Sequence, residues 1–195
     1  MKRVILASQS SARKELFASL GIPFTTIPAF IDEKAIRDKD LKIRAEKIAR
    51  AKCEKIASSN ASVVIACDTF SECGGKVFEK PGNLVEAREM LTFLSGKKAK
   101  NYTGFCYIDK QNNIDTSTVV VVDYEFRTLY PGEINTYVKN FPVKEWAAAF
   151  ALVLPYITSM IASINGSYTG LSYGIPAEIL IPLLKKSGFE PHPQR

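Results

Sequence analysis

The sequence predicts an α/β protein with an elongated mixed β-sheet flanked by helices, and three observations lead to that fold class. Helical and strand-like patterns alternate over the first half of the chain, which is typical of α/β units. Residues 63–67 form an uninterrupted apolar run, as expected for a central strand that is covered on both faces. Two long strand-like segments follow after residue 100, joined by a short polar connection.

The elements of the first half have recognisable start and stop signals. Residues 3–7 read as a short strand, and a serine-rich loop leads from it into a helix that ends near residue 20 before a glycine. Residues 40–58 show the apolar stripe of a long amphipathic helix. A further helix is predicted over residues 83–95, because an asparagine and a glutamate at its start have capping-box spacing.

The second half is predicted to contain both strands and helices. Residues 102–109 and 116–127 are expected to pair as antiparallel strands through a hairpin at residues 110–113. Helices are predicted over residues 131–139 and 177–187, the first opened by a Pro-Gly-Glu sequence.

One uncharged stretch, residues 146–164, raises the question of a membrane span, which needs about 20 apolar residues. Pro155 and several hydroxyl side chains interrupt it. The favoured interpretation is that Pro155 separates a buried strand from a helix.

Composition limits the functions to be considered. With 195 residues, of which 46% are hydrophobic and 24% charged, the chain suits one domain spanning residues 1–195, or two small lobes that share a cleft. Four cysteines without CxxC spacing and a single histidine argue against a zinc site or a histidine-based triad. The net charge of +6 comes from scattered lysines and arginines, which argues against a nucleic-acid tail. The first ten residues are too polar for a secretory leader, so a cytoplasmic protein is expected.

The loop after the first strand is a candidate anion site. Ser8, Ser10 and Arg13 place hydroxyl groups, backbone N–H groups and a cation at the start of a helix, where phosphate groups bind well. The alternative is that a serine merely caps the helix while Arg13 points to solvent.

Two further groups of residues could serve phosphate chemistry. Asp32 and Glu33 form an acidic pair that could hold a hard cation, although such pairs are commonly only solvated. Lys52 lies on the long helix and could equally face solvent. Asp68 at the end of the buried strand could activate a water molecule, and Lys80 could return on a hairpin to neutralise phosphate charge.

The order and spacing of these pieces over nearly the whole chain resemble the Maf family. The matching segments are Leu6-Ala7-Ser8-Gln9-Ser10 with Arg13, Asp32-Glu33, Ala51-Lys52, Cys67-Asp68-Thr69, Lys80-Pro81, Leu94-Ser95-Gly96, Thr103-Gly104, Gly166-Ser167-Tyr168 and Gly174-Ile175-Pro176. The resemblance implies a Maf/ITPase-like fold with an active-site cleft between two lobes. It also implies a pyrophosphatase that splits a nucleoside triphosphate into a nucleoside monophosphate and pyrophosphate.

The resemblance also implies a role for each matching residue. Asp68 would accept a proton from the attacking water, and Glu33 would help to hold a divalent metal, namely magnesium, manganese or cobalt. The residues that would bind the triphosphate are Ser8, Ser10, Arg13, Lys52 and Lys80. Thr69 would lie beside the base or sugar. The implied partner is the nucleotide, without membrane or nucleic acid, and assembly as a homodimer stays open.

The chain departs from the family pattern where the nucleobase is chosen. Ala12 stands in place of an arginine, Trp146 in place of a lysine and Val153 in place of a glutamine. If Ala12 and Val153 line the base end of the cleft, the wall there is apolar and can select only by shape and stacking. The sequence therefore predicts loose selection, with several nucleotides hydrolysed.

Three functions from different classes follow from these observations. The first is an active pyrophosphatase, with Asp68 and Glu33 as catalytic residues. The second is a catalytically weakened relative that binds nucleotides or a partner protein. The third is a nucleic-acid-binding regulator of division or septation. Pyrophosphate release, nucleotide-dependent thermal stabilisation and salt-sensitive nucleic-acid binding would distinguish them.

Overall fold

A computed structural model describes residues 3–59 and 62–192 of the chain. Within these residues a seven-stranded mixed sheet has the order β2-β1-β3-β5-β6-β7, and β4 pairs with β3. The strands are β1 (Val4–Leu6), β2 (Phe24–Thr26), β3 (Val63–Cys73), β4 (Lys76–Phe78), β5 (Lys98–Asp109), β6 (Ile114–Phe126) and β7 (Ile161–Asn165). The expected mixed sheet with flanking helices is confirmed.

Seven α-helical segments accompany the sheet in the described part of the chain. They are α1 (Ser11–Ser19), α2 (Leu41–Ala57), α3 (Leu84–Leu94), α4 (Pro131–Asn140), α5 (Pro155–Thr158), α6 (Tyr168–Ser172) and α7 (Ala177–Lys186). Asn83 caps α3 by accepting hydrogen bonds from the backbone N–H groups of Val85 and Glu86. The capping box is incomplete, because the Glu86 carboxylate accepts from the N–H of Gly82 instead of returning to Asn83.

β3 is longer than the sequence predicts, and this changes where Asp68 lies. β1 pairs parallel with β3 and ends at Leu6, opposite Ile65. β3 continues to Cys73, because antiparallel pairing with β5 and β4 takes over. The prediction that Asp68 lies at the end of its strand is therefore wrong. It lies in mid-strand, three positions beyond the last residue that pairs with β1, where the sheet opens towards the start of α1.

Two lobes share the three long strands β3, β5 and β6. The first lobe contains β1, α1, α2 and α7, whose side chains cover both faces of the sheet. The second lobe contains α3, α4 and residues 143–160, which pack on the opposite ends of the same strands. The buried polar side chains of Asp68, Ser71, Asn101 and Thr103 lie in the middle of β3 and β5. Their position makes the middle of the sheet, between the apolar clusters, the polar floor of a cleft.

Helix α2 reaches this floor through an unusually close approach. Gly104 of β5 pairs with Asp68 of β3. A Cβ atom on Gly104 would lie 2.0 Å from the carbonyl oxygen of Ala45 in α2, so a larger residue cannot fit without displacing the helix. Glycine here sets the distance between α2 and the strand that carries Asp68.

The segment from residue 143 to residue 160 differs from the expectation. It contains two short 3-10 turns, Val143–Glu145 and Ala147–Ala149, where a buried strand was predicted before Pro155. The helix after Pro155 is only α5, and β7 then pairs with β6. No helix within the described residues is long and apolar enough to cross a membrane. The predicted hairpin between β5 and β6 is confirmed.

Candidate active site

A cleft of about 450 Å³ lies between the two lobes. This volume falls in the range of small-molecule sites, about 300–1,000 Å³. The cleft is lined by the loop before α1, by residues 28–34, by one face of α2, by the middle of β3, and by residues 145–151 of the second lobe.

The start of α1 forms one end of the cleft. The hydroxyl of Ser10 caps the helix by accepting from the N–H of Arg13 at 3.5 Å. The hydroxyl of Ser8, which is buried, accepts from the N–H of Ser10 at 3.2 Å. The serines therefore fix the loop so that the positive end of α1 faces the cleft, as an anion site requires.

Arg13 is anchored inside the cleft. Its guanidinium donates to the Ser8 hydroxyl at 3.1 Å, to the Thr69 hydroxyl at 3.1 Å and to the carbonyl of Gly174 at 3.3 Å. These bonds join the loop, the middle of β3 and the segment after α6. The alternative in which Arg13 points to solvent is thus wrong.

Lys52 links the two candidate catalytic carboxylates. Its ammonium lies 2.9 Å from Oδ1 of Asp68 and 3.0 Å from Oε2 of Glu33. Lys52 and Asp68 are each only 8% exposed. The alternative of a solvent-facing Lys52 is therefore wrong, since a buried ammonium needs such partners.

The acidic pair divides into two roles. Glu33 lines the cleft, and its side chain remains about half exposed. Asp32 instead accepts hydrogen bonds from the N–H groups of Lys34 and Ala35 and closes a turn. Asp32 thus holds the loop that presents Glu33.

Lys80 adds a further cation to the cleft wall. It follows the β3–β4 hairpin, as predicted, and its side chain is exposed in the cleft. Partial desolvation, together with the positive charges of Arg13 and Lys52, lowers the pKa of Lys80. Cations that destabilise one another in this way favour a bound anion, because the anion relieves their repulsion.

Cys67, next to Asp68 in β3, is not suited to be a nucleophile. Burial raises the pKa of its thiol to about 12, although Arg13 and Lys52 oppose that shift. The thiol therefore stays protonated near neutral pH.

The other end of the cleft is built by residues that the sequence analysis assigned only in part. Ala12 and Thr69 line the cleft, as expected. Val153 does not belong to the lining, because it packs against the apolar cluster of the second lobe. The structure therefore does not bring Val153 to the cleft wall where the sequence analysis expects it. The wall is formed instead by Trp146, Ala147, Phe150 and Ala151.

Sequence reasoning missed several other lining residues. Arg44 lies eight positions before Lys52 in α2, so two turns of helix place both on one face. Its guanidinium forms an ion pair with Glu79 and lies over the ring of Phe70. Four-residue spacing of Arg44, Ile48 and Lys52 was the signal that could have revealed it. Other missed polar residues of the lining include Lys34, Asn101, Glu145, Ser172 and Tyr173.

The site fits a metal that is completed by the substrate. No group of three or more histidine, cysteine or acidic side chains is arranged to hold a metal within residues 3–59 and 62–192. Magnesium commonly uses one or two carboxylates and takes its other oxygen ligands from phosphate groups and water. Glu33, half exposed beside the cations of the cleft, suits that type of site.

The chain is similar over most of its length to curated pyrophosphatases. The dTTP/UTP pyrophosphatase of Syntrophus aciditrophicus is 34% identical over 188 residues, covering 96% of this chain and 91% of that protein. The dTTP/UTP pyrophosphatase of Moorella thermoacetica is 33% identical over 177 residues, covering 90% of each chain. A nucleoside triphosphate pyrophosphatase of a Synechococcus species is 33% identical over 151 residues, covering 76% of this chain and 77% of that protein.

A solved structure supports the fold independently. The Ham1 protein of Staphylococcus aureus superposes with a TM-score of 0.52 at 14% identity, covering 96% of this chain and 100% of that chain. The model of the family described as "Maf-like protein" matches residues 3–187. The chain therefore belongs to the Maf family.

Proposed function

We propose that this protein is a metal-dependent nucleoside triphosphate pyrophosphatase that releases nucleoside monophosphate and pyrophosphate. The observation that carries the proposal is the buried Lys52–Asp68 ion pair, which lies in a cleft shared with the start of α1, Arg13 and Lys80. The printed names of the relatives, which act on dTTP/UTP or on nucleoside triphosphates, support the same reaction.

The triphosphate binds at the end of the cleft formed by α1. The hydroxyls of Ser8 and Ser10, at the positive end of α1, donate to phosphate oxygens, and Arg13, Lys52 and Lys80 supply positive charge. Arg13 is well suited to this role because Ser8, Thr69 and Gly174 hold its guanidinium in place before substrate arrives. Little reorganisation is then needed when the charge of the leaving group develops.

Asp68 is the proton acceptor in this proposal. A water oxygen forms a bond to the α-phosphorus, the bond from that phosphorus to the bridging oxygen breaks, and the water proton passes to the Asp68 carboxylate. The ammonium of Lys52 holds Oδ1 of Asp68 and thereby fixes the carboxylate in the cleft. Pyrophosphate leaves with its charge balanced by Arg13 and Lys80.

Glu33 would hold a divalent metal, for which we propose magnesium, manganese or cobalt. When bound, such a metal neutralises phosphate charge and orients the triphosphate. The loop closed by Asp32 keeps Glu33 at the mouth of the cleft, within reach of Lys52.

We place the protein in the cytoplasm. All four cysteines are free and buried, which suits a reducing compartment.

The test is pyrophosphate release from a panel of ribo- and deoxyribonucleoside triphosphates, with and without added metal. Turnover that is lost on chelation and restored by metal is expected. Nucleotide-dependent thermal stabilisation without turnover would instead support a binding protein. Salt-sensitive binding to DNA or RNA, with neither turnover nor nucleotide binding, would support a nucleic-acid regulator.

A further inference from the structure

Trp146 lies in the second-lobe wall of the cleft, on the side tied to Ser11 of α1. It follows the turn Val143–Glu145, and the carboxylate of Glu145 accepts a hydrogen bond from the hydroxyl of Ser11 at 3.0 Å. Because Ser11 precedes Ala12 and Glu145 precedes Trp146, this bond brings Ala12 and Trp146 to the same part of the cleft. Both residues line it.

The indole of Trp146 carries an unused hydrogen-bond donor. Trp146 is 8% exposed, and its Nε1 atom is buried without an acceptor among the described residues. The hydroxyl of Ser172, another lining residue, is likewise buried and unpaired there. The Nε atom of Arg44 is a third such atom among the lining residues, and burial of an unpaired polar group is costly enough to need an explanation.

The backbone after Trp146 is held in a costly conformation. Ala148 and Ala149 have φ angles of 54° and 64°, in the left-handed region that non-glycine residues rarely adopt. Strain of this kind is typical of binding sites and of segments that move. The N–H of Ala148 donates to the carbonyl of Glu79 at 3.0 Å and ties the turn to the strand that precedes Lys80.

We propose that Trp146 is a specificity-determining residue that donates its Nε1–H to a carbonyl oxygen of the substrate nucleobase. This inference rests on the proposed function and replaces the apolar wall expected from Ala12 and Val153. An indole N–H can only donate a hydrogen bond. It therefore favours binding of a base with an oxo group and disfavours a base with an amino group at the same ring position. The Nε1 atom is buried in the free protein. A hydrogen bond from Nε1 to the base therefore requires the segment that contains Ala148 and Ala149 to move when the nucleotide binds.

Trp146 provides its own probe, because it is the only tryptophan in the sequence. Its emission can be followed while nucleotide is added to the Asp68→Asn variant, in which turnover is blocked. We expect a saturable change in emission with UTP. Inorganic tripolyphosphate, which has no base, should bind without that change.

A kinetic comparison tests the hydrogen bond itself. UTP and CTP, and likewise ITP and ATP, differ by an oxo or amino group on the same ring. We expect Trp146→Phe to lower the preference for the oxo member in kcat/KM by about tenfold, since it keeps a ring but removes the donor. Tyr124→Phe is the matched control, because it removes a polar group from a buried aromatic outside the cleft lining. It should leave both ratios within about twofold of wild type.

The outcomes separate this inference from the proposed function. If the wild type hydrolyses nucleotides while both the ratios and the Trp146 emission are unchanged, the inference is overturned and the pyrophosphatase stands. If no nucleotide is hydrolysed, the pyrophosphatase fails, whereas the emission response to UTP against tripolyphosphate still decides whether Trp146 meets the base. If Trp146→Phe does not fold, the emission experiment alone decides.

Discussion

The two ends of the cleft differ in how far they are organised before substrate binds. At the end that we propose for the triphosphate, here called the phosphate end, Arg13 is already bonded to Ser8, and Lys52 to Asp68 and Glu33. At the end that we propose for the nucleobase, here called the base end, Nε1 of Trp146 has no partner within the part of the chain that the structure describes. The difference suggests a division of labour, in which a preformed site holds the triphosphate common to all substrates and an incomplete one is finished by the base.

The largest effect is expected for a substitution that stops turnover and leaves nucleotide binding at both ends of the cleft intact. Asp68→Asn should lower kcat by a factor of about a hundred or more, because an amide cannot accept the proton. Nucleotide affinity, measured by calorimetry, should stay within about fivefold, since the side chain keeps its shape. The control is Asp123→Asn, which replaces an exposed carboxylate on β6. Near-normal turnover in folded Asp68→Asn would remove Asp68 from the mechanism.

The next largest effect is expected for a substitution that disturbs the packing of α2 against the sheet, on which both ends of the cleft depend. Gly104→Ala should push α2 away from the sheet, because the new Cβ would meet the Ala45 carbonyl. Overpacking costs about 1–3 kcal/mol, so Tm should fall by roughly 5–10 °C, with loss of activity as Lys52 moves. Gly132→Ala is a matched control, because a Cβ there meets nothing within 4 Å. An unchanged Tm for Gly104→Ala would mean that α2 does not depend on this contact.

A smaller effect should distinguish the phosphate end from the base end. Lys80→Ala should lower kcat/KM by about ten- to a hundredfold, and by the same factor for every nucleotide, because it removes a charge that faces only phosphate. Lys98→Ala, at the exposed start of β5, provides the control. A factor that varies strongly with the base would place Lys80 beside the base instead.

Lys80 should also make nucleotide binding depend on pH. The lowered pKa of Lys80 means that its charge is lost at a lower pH than for an ordinary lysine. Below that pKa the ammonium attracts the triphosphate, and above it the neutral amine does not. KM should therefore rise with alkaline pH in the wild type, and this rise should be smaller in Lys80→Ala.

The smallest effect concerns Val153. Because this side chain packs on the second lobe and does not line the cleft, Val153→Gln should leave nucleotide preference within about twofold. Stability should fall by about 1 kcal/mol, since an amide replaces a partly buried apolar group. Relative kcat/KM values and urea denaturation measure the two effects. If Val153→Gln hydrolysed fewer nucleotides than the wild type, Val153 would have to contact the base.

The phosphate end could be predicted from sequence because its residues follow local signals. Ser8, Ser10 and Arg13 stand between a strand and a helix, and Lys80 follows a Gly-Gly turn. The apolar run stops at Cys67 and therefore predicts that Asp68 lies at a strand end. The strand continues through polar residues, since long-range pairing with β5 overrides the local pattern.

The base end could not be predicted in the same way. Three consecutive alanines, Ala147 to Ala149, favour a helix by intrinsic propensity, yet two of them are left-handed. This conformation is imposed by contacts distant in sequence, such as the bond between Ala148 and Glu79. Trp146 and Phe150, on either side of these alanines, line the cleft, whereas Val153 does not.

The three long strands have a mechanical consequence. β3, β5 and β6 pass through both lobes as continuous, mutually hydrogen-bonded chains, where many two-lobed enzymes have flexible hinges. Widening the floor of the cleft therefore means bending a whole sheet, not rotating about a few backbone torsions. The width of the floor is a nearly fixed dimension of the molecule, and adaptation to different ligands is left to the loops around the rim.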